Sequence, residues 1–79
     1  MNFIQDEKLS GVVERITYHN EQNGWSVIKV SPFNEPGRLV TVVVHQAKIF
    51  AGASMEFLGQ WSHHPQHGEQ FKAHQAIEK

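Results

Sequence analysis

Cysteine is absent from the 79 residues. That excludes a disulfide framework and a thiolate metal site, although a chain this short buries only about 60% of the surface it exposes when unfolded. No apolar run approaches the roughly 20 residues of a membrane-crossing helix. The first seven residues, Met1 to Glu7, lack the basic-then-apolar order of a secretory signal. Neither charge dominates: seven Lys and Arg stand against eight Asp and Glu, a net charge of −1. A domain that grips nucleic acid by bulk electrostatics carries a basic excess, and this one has none. Repeats, low-complexity tracts and linkers are also missing. The expectation is one small cytoplasmic domain over residues 9–79, preceded by a loose tail over 1–8, with no membrane partner.

Chemistry-bearing motifs are equally scarce. No Gly-x-x-x-x-Gly-Lys-Ser/Thr loop is present to cradle nucleotide phosphates. The serines at 10, 26, 31, 54 and 62 sit in no nucleophile-elbow context. The chain is therefore not expected to be an enzyme by itself, and no small-molecule substrate is expected.

What the sequence does hold is β periodicity almost throughout. Five runs rich in β-branched and aromatic residues appear, at Leu9–Tyr18, Trp25–Val30, Leu39–Val44, Met55–Trp61 and Gln70–Ile77. Met55, Phe57, Gly59 and Trp61 share one face by period two, as do Phe71, Ala73 and Ile77. Asn23-Gly24 and Pro36-Gly37 mark turns, and Pro65 and Gly68 punctuate a third loop. Ala47 to Ala51 is expected to form one helical turn before Gly52 stops it. In the first run, Val12, Ile16 and Tyr18 lie on one parity and Leu9 and Val13 on the other, which predicts a bend or bulge near Gly11. Three strands, a longer connection and two more strands fit an all-β, five-stranded Greek-key OB barrel. An SH3-like barrel is the alternative.

Two segments resemble a known family. One is Leu9-Ser10-Gly11-Val12-Val13-Glu14-Arg15-Ile16-Thr17-Tyr18, followed by Asn20-Glu21-x-Asn23-Gly24-Trp25-Ser26-Val27. The other is Gly52-x-x-Met55-Glu56-Phe57-x-Gly59-x-Trp61, followed by His64-Pro65-x-x-Gly68-x-Gln70-Phe71-Lys72. Together they resemble the N-terminal OB-type domain of RecD-like (RecD/TraA family) DNA helicases. The resemblance implies an accessory domain of a superfamily 1 motor that moves 5′ to 3′ on single-stranded DNA in recombination and repair. It implies ATP and Mg²⁺ as cofactors of the motor, and no cofactor for this chain. Implied partners are single-stranded DNA, the helicase motor domains and other replication or repair proteins.

OB barrels bind strands across the second and third strands, stacking bases on aromatic rings beside phosphate-tracking cations. The candidate contacts are Trp25, Lys29, Phe33, Arg38 and Lys72, with Arg15 and His64 behind them. Tyr18 and Phe71 are further candidate rings. Trp61 shares parity with Met55 and Phe57 and is expected at the core or its rim, whereas Trp25 is open between core and contact. His63, His64 and His67 lie within five residues of one another, but without Cys they are expected to be loop residues rather than a metal site. A protein-docking module is the rival reading, suited by the near-neutral charge, the Phe33 loop and an exposed edge at Leu39–Val44.

Overall fold

The computed structural model describes residues 6–45, 49–66 and 68–79. Five strands form where the alternation predicts them: β1 (Glu7–His19), β2 (Trp25–Pro32), β3 (Val40–His45), β4 (Ser54–His64) and β5 (Gly68–Glu78). They close a barrel in the order β1-β2-β3-β5-β4. Every pair is antiparallel except β3 with β5, which run parallel. This is the closed OB barrel, and the SH3-like alternative falls with it.

Closure depends on β1, which is long enough to serve two neighbours. Glu7 to Val12 pair with β4, and Gly11 to His19 pair with β2. Gly11 lies where the two pairings overlap. A Cβ there would run into the Ser31 carbonyl oxygen, so the crossing is open only to glycine. Gly59 plays the same part between β4 and β5, where a Cβ would strike the Lys72 carbonyl.

The parity of β1 is repaired by bulges, but not at Gly11. The register with β2 slips between Val13 and Arg15 and again between Ile16 and Tyr18, leaving Glu14 and Thr17 as the extra residues. Val13 is fully buried, Ile16 faces Ile28 at the barrel rim, and Tyr18 is returned to the outer surface opposite Val27. A third slip, at Leu58/Gly59, skips His74 on β5. It turns Ile77 outward (39% exposed) and Ala76 inward, which corrects the expected Phe71-Ala73-Ile77 face. Each extra residue flips the inward set by one position.

Val13, Ile28, Val30, Val42, Phe57 and Phe71 are fully buried. Trp61 packs on the rim of this core, edge-on to Phe71 with centroids 5.2 Å apart. Three further expectations change. Glu7 and Lys8, read as tail, already pair with Gly59 and Leu58. The Leu39–Val44 run presents no free edge, because Val40 to His45 pair with β2 and Thr41 to Val44 also pair with β5. The expected helical turn at Ala47–Ala51 falls partly on residues 46–48, outside those described. In the rest of that connection Ile49 and Phe50 are irregular and Ala51-Gly52 form a turn. The backbone donors are spent otherwise: Ala53 N bonds Phe50 O at 3.2 Å, and Gly52 N bonds Val13 O at 2.7 Å. Neither of these two donors is left for an i→i−4 bond.

Candidate nucleic-acid interface

Cross-strand register places side chains on the outer surface in rows. Arg15 of β1 faces Lys29 of β2, which faces Thr41 of β3, which faces Gln70 of β5. The next row is Tyr18, Val27, Val43 and Lys72. Trp25 and His45 lie beyond it, their rings tilted at 58° with centroids 4.5 Å apart. One continuous face over β1, β2, β3 and β5 thus carries three cations and two large rings.

The β1–β2 turn aims Trp25. Asn20 Oδ1 accepts from Gln22 N at 2.9 Å, and Asn23 Oδ1 accepts from Trp25 N at 2.9 Å. Gly24 takes φ 75°, which its neighbours could adopt only at a cost. Asn20 N closes the turn on Trp25 O at 2.8 Å. These local bonds hold Trp25 half-buried at the head of β2, on the parity opposite to the buried Ser26, Ile28 and Val30. The open choice for Trp25 is thereby decided: its ring lies outside the barrel core.

The charges are sorted in the same way. Lys8 and Lys79 both reach Glu56, at 3.8 and 3.0 Å, and all three lie off this face. Arg38 meets Glu35 and Glu69, each at 3.0 Å, with its guanidinium 5.6 Å from the Trp61 ring centre. Hydrogen bonding and charge from Glu35, and then charge and hydrogen bonding from Glu69, hold its pKa above the ordinary arginine value. Arg15, Lys29 and Lys72, among the described residues, have no carboxylate within 4.0 Å. Lys29 Nζ instead donates to Thr41 Oγ1. So the described cations that lack an acid partner are those on the face that bears Tyr18 and Trp25. An uncompensated cluster of this kind focuses a positive potential despite a net charge of −1.

An open cleft of about 430 Å³ lies in this face, lined by Thr17, Tyr18, Val27, Lys29, Thr41 and Gln70. Thr17 Oγ1 donates to Val27 O at 2.8 Å, tying the bulged residue to β2.

The structure brings Arg15, Lys29, Lys72 and Trp25 together. Phe33 is elsewhere: it follows the far end of β2, roughly 25 Å along the strand from Trp25, and its N donates to Ser10 O. It is 56% exposed and lines a separate cleft with Lys8, Leu9, Ser10 and Asn34. Arg38 lies on the rim, beside Arg15 in a further cleft, occupied by its two carboxylates. His64 ends β4, where its Nδ1 accepts from Gln66 N at 3.0 Å. His67 lies outside the described residues, and no group of three metal-ligating side chains occurs among those described. Phe71 is fully buried, so it offers no ring to a ligand. Thr41, His45 and Gln70 complete the face without having been singled out from sequence. Only cross-strand register could have found them.

No described helix is long and apolar enough to cross a membrane. A family model described as "ATP-dependent DNA helicase YrrC, OB-fold domain" matches residues 6–79. No curated protein matches the chain. Among solved structures, a chain of the Stn1–Ten1 complex of S. pombe superposes with a TM-score of 0.71 at 16% identity. The match covers 96% of this chain and 59% of that one, so the barrel spans little more than half of its neighbour. At that identity the likeness is one of fold.

Proposed function

Because the chain belongs to the family of OB-fold domains of the ATP-dependent DNA helicase YrrC, we propose that it is the accessory barrel of a RecD-like superfamily 1 DNA helicase, holding single-stranded DNA on the outer face of β1, β2, β3 and β5. In this reading ATP, Mg²⁺ and translocation belong to the motor, and the work in recombination and repair is that of the whole helicase. The barrel contributes a hold on the strand. Bases stack on Trp25 and Tyr18, and phosphates track Arg15, Lys29 and Lys72.

The observation that carries this reading is the segregation of charge. Three cations without acid partners share one face with two solvent-accessible rings. A face spent on folding alone has no use for that arrangement. Stacking contributes about 1–3 kcal/mol per base, and each phosphate neutralised on a single strand adds about 0.7 to the salt slope. The test is a titration with single-stranded oligonucleotide, followed by tryptophan fluorescence at several salt concentrations. Saturable quenching that weakens log-linearly with salt supports the reading. Flat fluorescence at micromolar strand, or affinity indifferent to salt, rejects it.

A second reading has one observation in its favour. Phe33 is 56% exposed beside Lys8, Leu9 and Ser10, away from the cationic face. An exposed ring there suits docking against the motor domains. The two readings use different surfaces and are compatible.

A further inference from the structure

Gln70 and Ser26 are the buried polar residues of the described chain, at 8% and 0% exposure. Ser26 is accounted for: its Oγ lies 2.6 Å from His19 Nδ1 and bonds Gly24 O at 3.4 Å. Gln70 is not. Its carboxamide makes no hydrogen bond to any described side chain or backbone group. No side-chain nitrogen or oxygen in the described barrel is both sealed from solvent and unpartnered, so the Gln70 amide must open onto the cleft that it lines. More than nine-tenths of this residue is buried, yet its polar end is left unmatched at the floor of a cleft. The amide is therefore left to bond solvent, and a ligand in the cleft could take over that bond.

The surroundings say what would take over that bond. Tyr18, 51% exposed, lines the same cleft and supplies a ring. Lys29 stands across Thr41 from Gln70 in one row of the sheet, and supplies a cation. A carboxamide presents an N–H donor beside a C=O acceptor. It pairs at two points with a base edge that sets an acceptor beside a donor, as adenine does with N7 and N6–H.

We infer that the cleft is a base-reading subsite: one nucleobase enters it, Gln70 bonds the base edge, and Tyr18 offers the ring against which that base packs. The inference rests on the outer face being a single-stranded DNA surface, and adds that the face distinguishes bases. Stacking platforms and phosphate-tracking cations are sequence-tolerant. Gln70 is the element that would not be.

The experiment compares equal-length single strands of dA, dC and dT, and a fully abasic strand of the same length, on the wild-type domain and two variants. Wild type is expected to favour one base over another, and over the abasic strand, by about fivefold to tenfold. Gln70→Met keeps the length and burial but removes both polar atoms. It should bring the dA, dC and dT strands to within about twofold of one another while leaving the salt slope unchanged, the abasic strand staying weaker because it cannot stack on Trp25 and Tyr18. Gln70→Glu keeps the acceptor and loses the donor, and should shift preference toward dA and dC, which offer amino N–H groups. Thermal unfolding of each variant checks that the barrel is intact. Salt-dependent binding with no base preference overturns the base-reading inference alone. So does a preference among dA, dC and dT that survives Gln70→Met in a folded protein. Absence of saturable binding to any strand overturns the DNA face itself, and the inference with it.

Discussion

Two regions of this barrel use the same residue types to opposite ends. Where the first half of β1 meets β4 and the end of β5, Lys8 and Lys79 converge on Glu56, and His74 Nε2 lies 2.7 Å from Asp6 Oδ2. The charges of Lys8, Lys79 and Glu56 answer one another. Across β1, β2, β3 and β5, Arg15, Lys29 and Lys72 have no acid within 4.0 Å among the described residues. A net charge of −1 thus hides a cluster of unanswered cations whose charge is offset by acids elsewhere on the chain. Net charge describes solubility and long-range encounter, but the field that a ligand meets is set by which charges are left unanswered.

The most drastic way to break the contrast is to remove the barrel that separates the two regions. Gly59→Ala places a Cβ against the Lys72 carbonyl and 2.8 Å from the Ala73 Cα. It should destabilise the domain by about 3 kcal/mol or more, seen as a fall in Tm of about 12 °C or more. Next comes the charge itself. Replacing Arg15, Lys29 and Lys72 together by Gln should lower the salt slope for single-stranded DNA by about 2. Replacing Lys8 and Lys79 together by Gln should leave that slope where it was. Equal losses from the two sets would erase the comparison.

The two tryptophans sharpen it further. Trp25→Ala should weaken oligonucleotide binding by about tenfold, within the 1–3 kcal/mol of one stacked base, with Tm nearly unchanged. Trp61→Ala removes a ring packed on Phe71 and the core, and should cost about 2 kcal/mol of stability instead. The smallest effect concerns Glu56. The Lys79 hydrogen bond, with the charges of Lys79 and Lys8, holds its pKa below the ordinary glutamate value. In the window between the two values the unfolded chain carries the proton and the native one does not. The contribution is therefore complete above the ordinary carboxylate range and is lost as pH falls through the folded-state value. Thermal melts across that window should show Glu56→Gln flattening the acid limb slightly, with DNA binding at neutral pH unaffected.

How much of this was legible in advance differs from element to element. The strands were visible because alternation is local: Met55, Phe57 and Trp61 share one face without reference to any neighbour. Trp61 was placed correctly at the core rim by its shared parity with Met55 and Phe57. Ile77 was not, because the bulge at His74 reverses parity, and nothing in Phe71 to Ile77 announces an extra residue. The conflicting parities of β1 predict a bulge, and the pattern points to Gly11. The bulge lies at Glu14 and Thr17, while Gly11 serves the crossing of β1 over β2. Phe33 was legible as an exposed loop ring. That it faces Ser10 rather than Trp25 depends on how far β2 runs.

The sequence by itself determined five strands, their turns, the shared face of Met55, Phe57 and Trp61, and the lack of a nucleotide-binding loop. Each is a property of neighbouring residues, and neighbouring residues suffice to read it. Only the tertiary structure decided that Arg15, Lys29, Thr41 and Gln70 stand in one row, and that Arg38 spends its charge on Glu35 and Glu69. Those meetings join residues up to 55 positions apart (Arg15 and Gln70, 70 − 15). They follow from strand order and register, which hydrophobic closure of the barrel selects, and no local pattern encodes them.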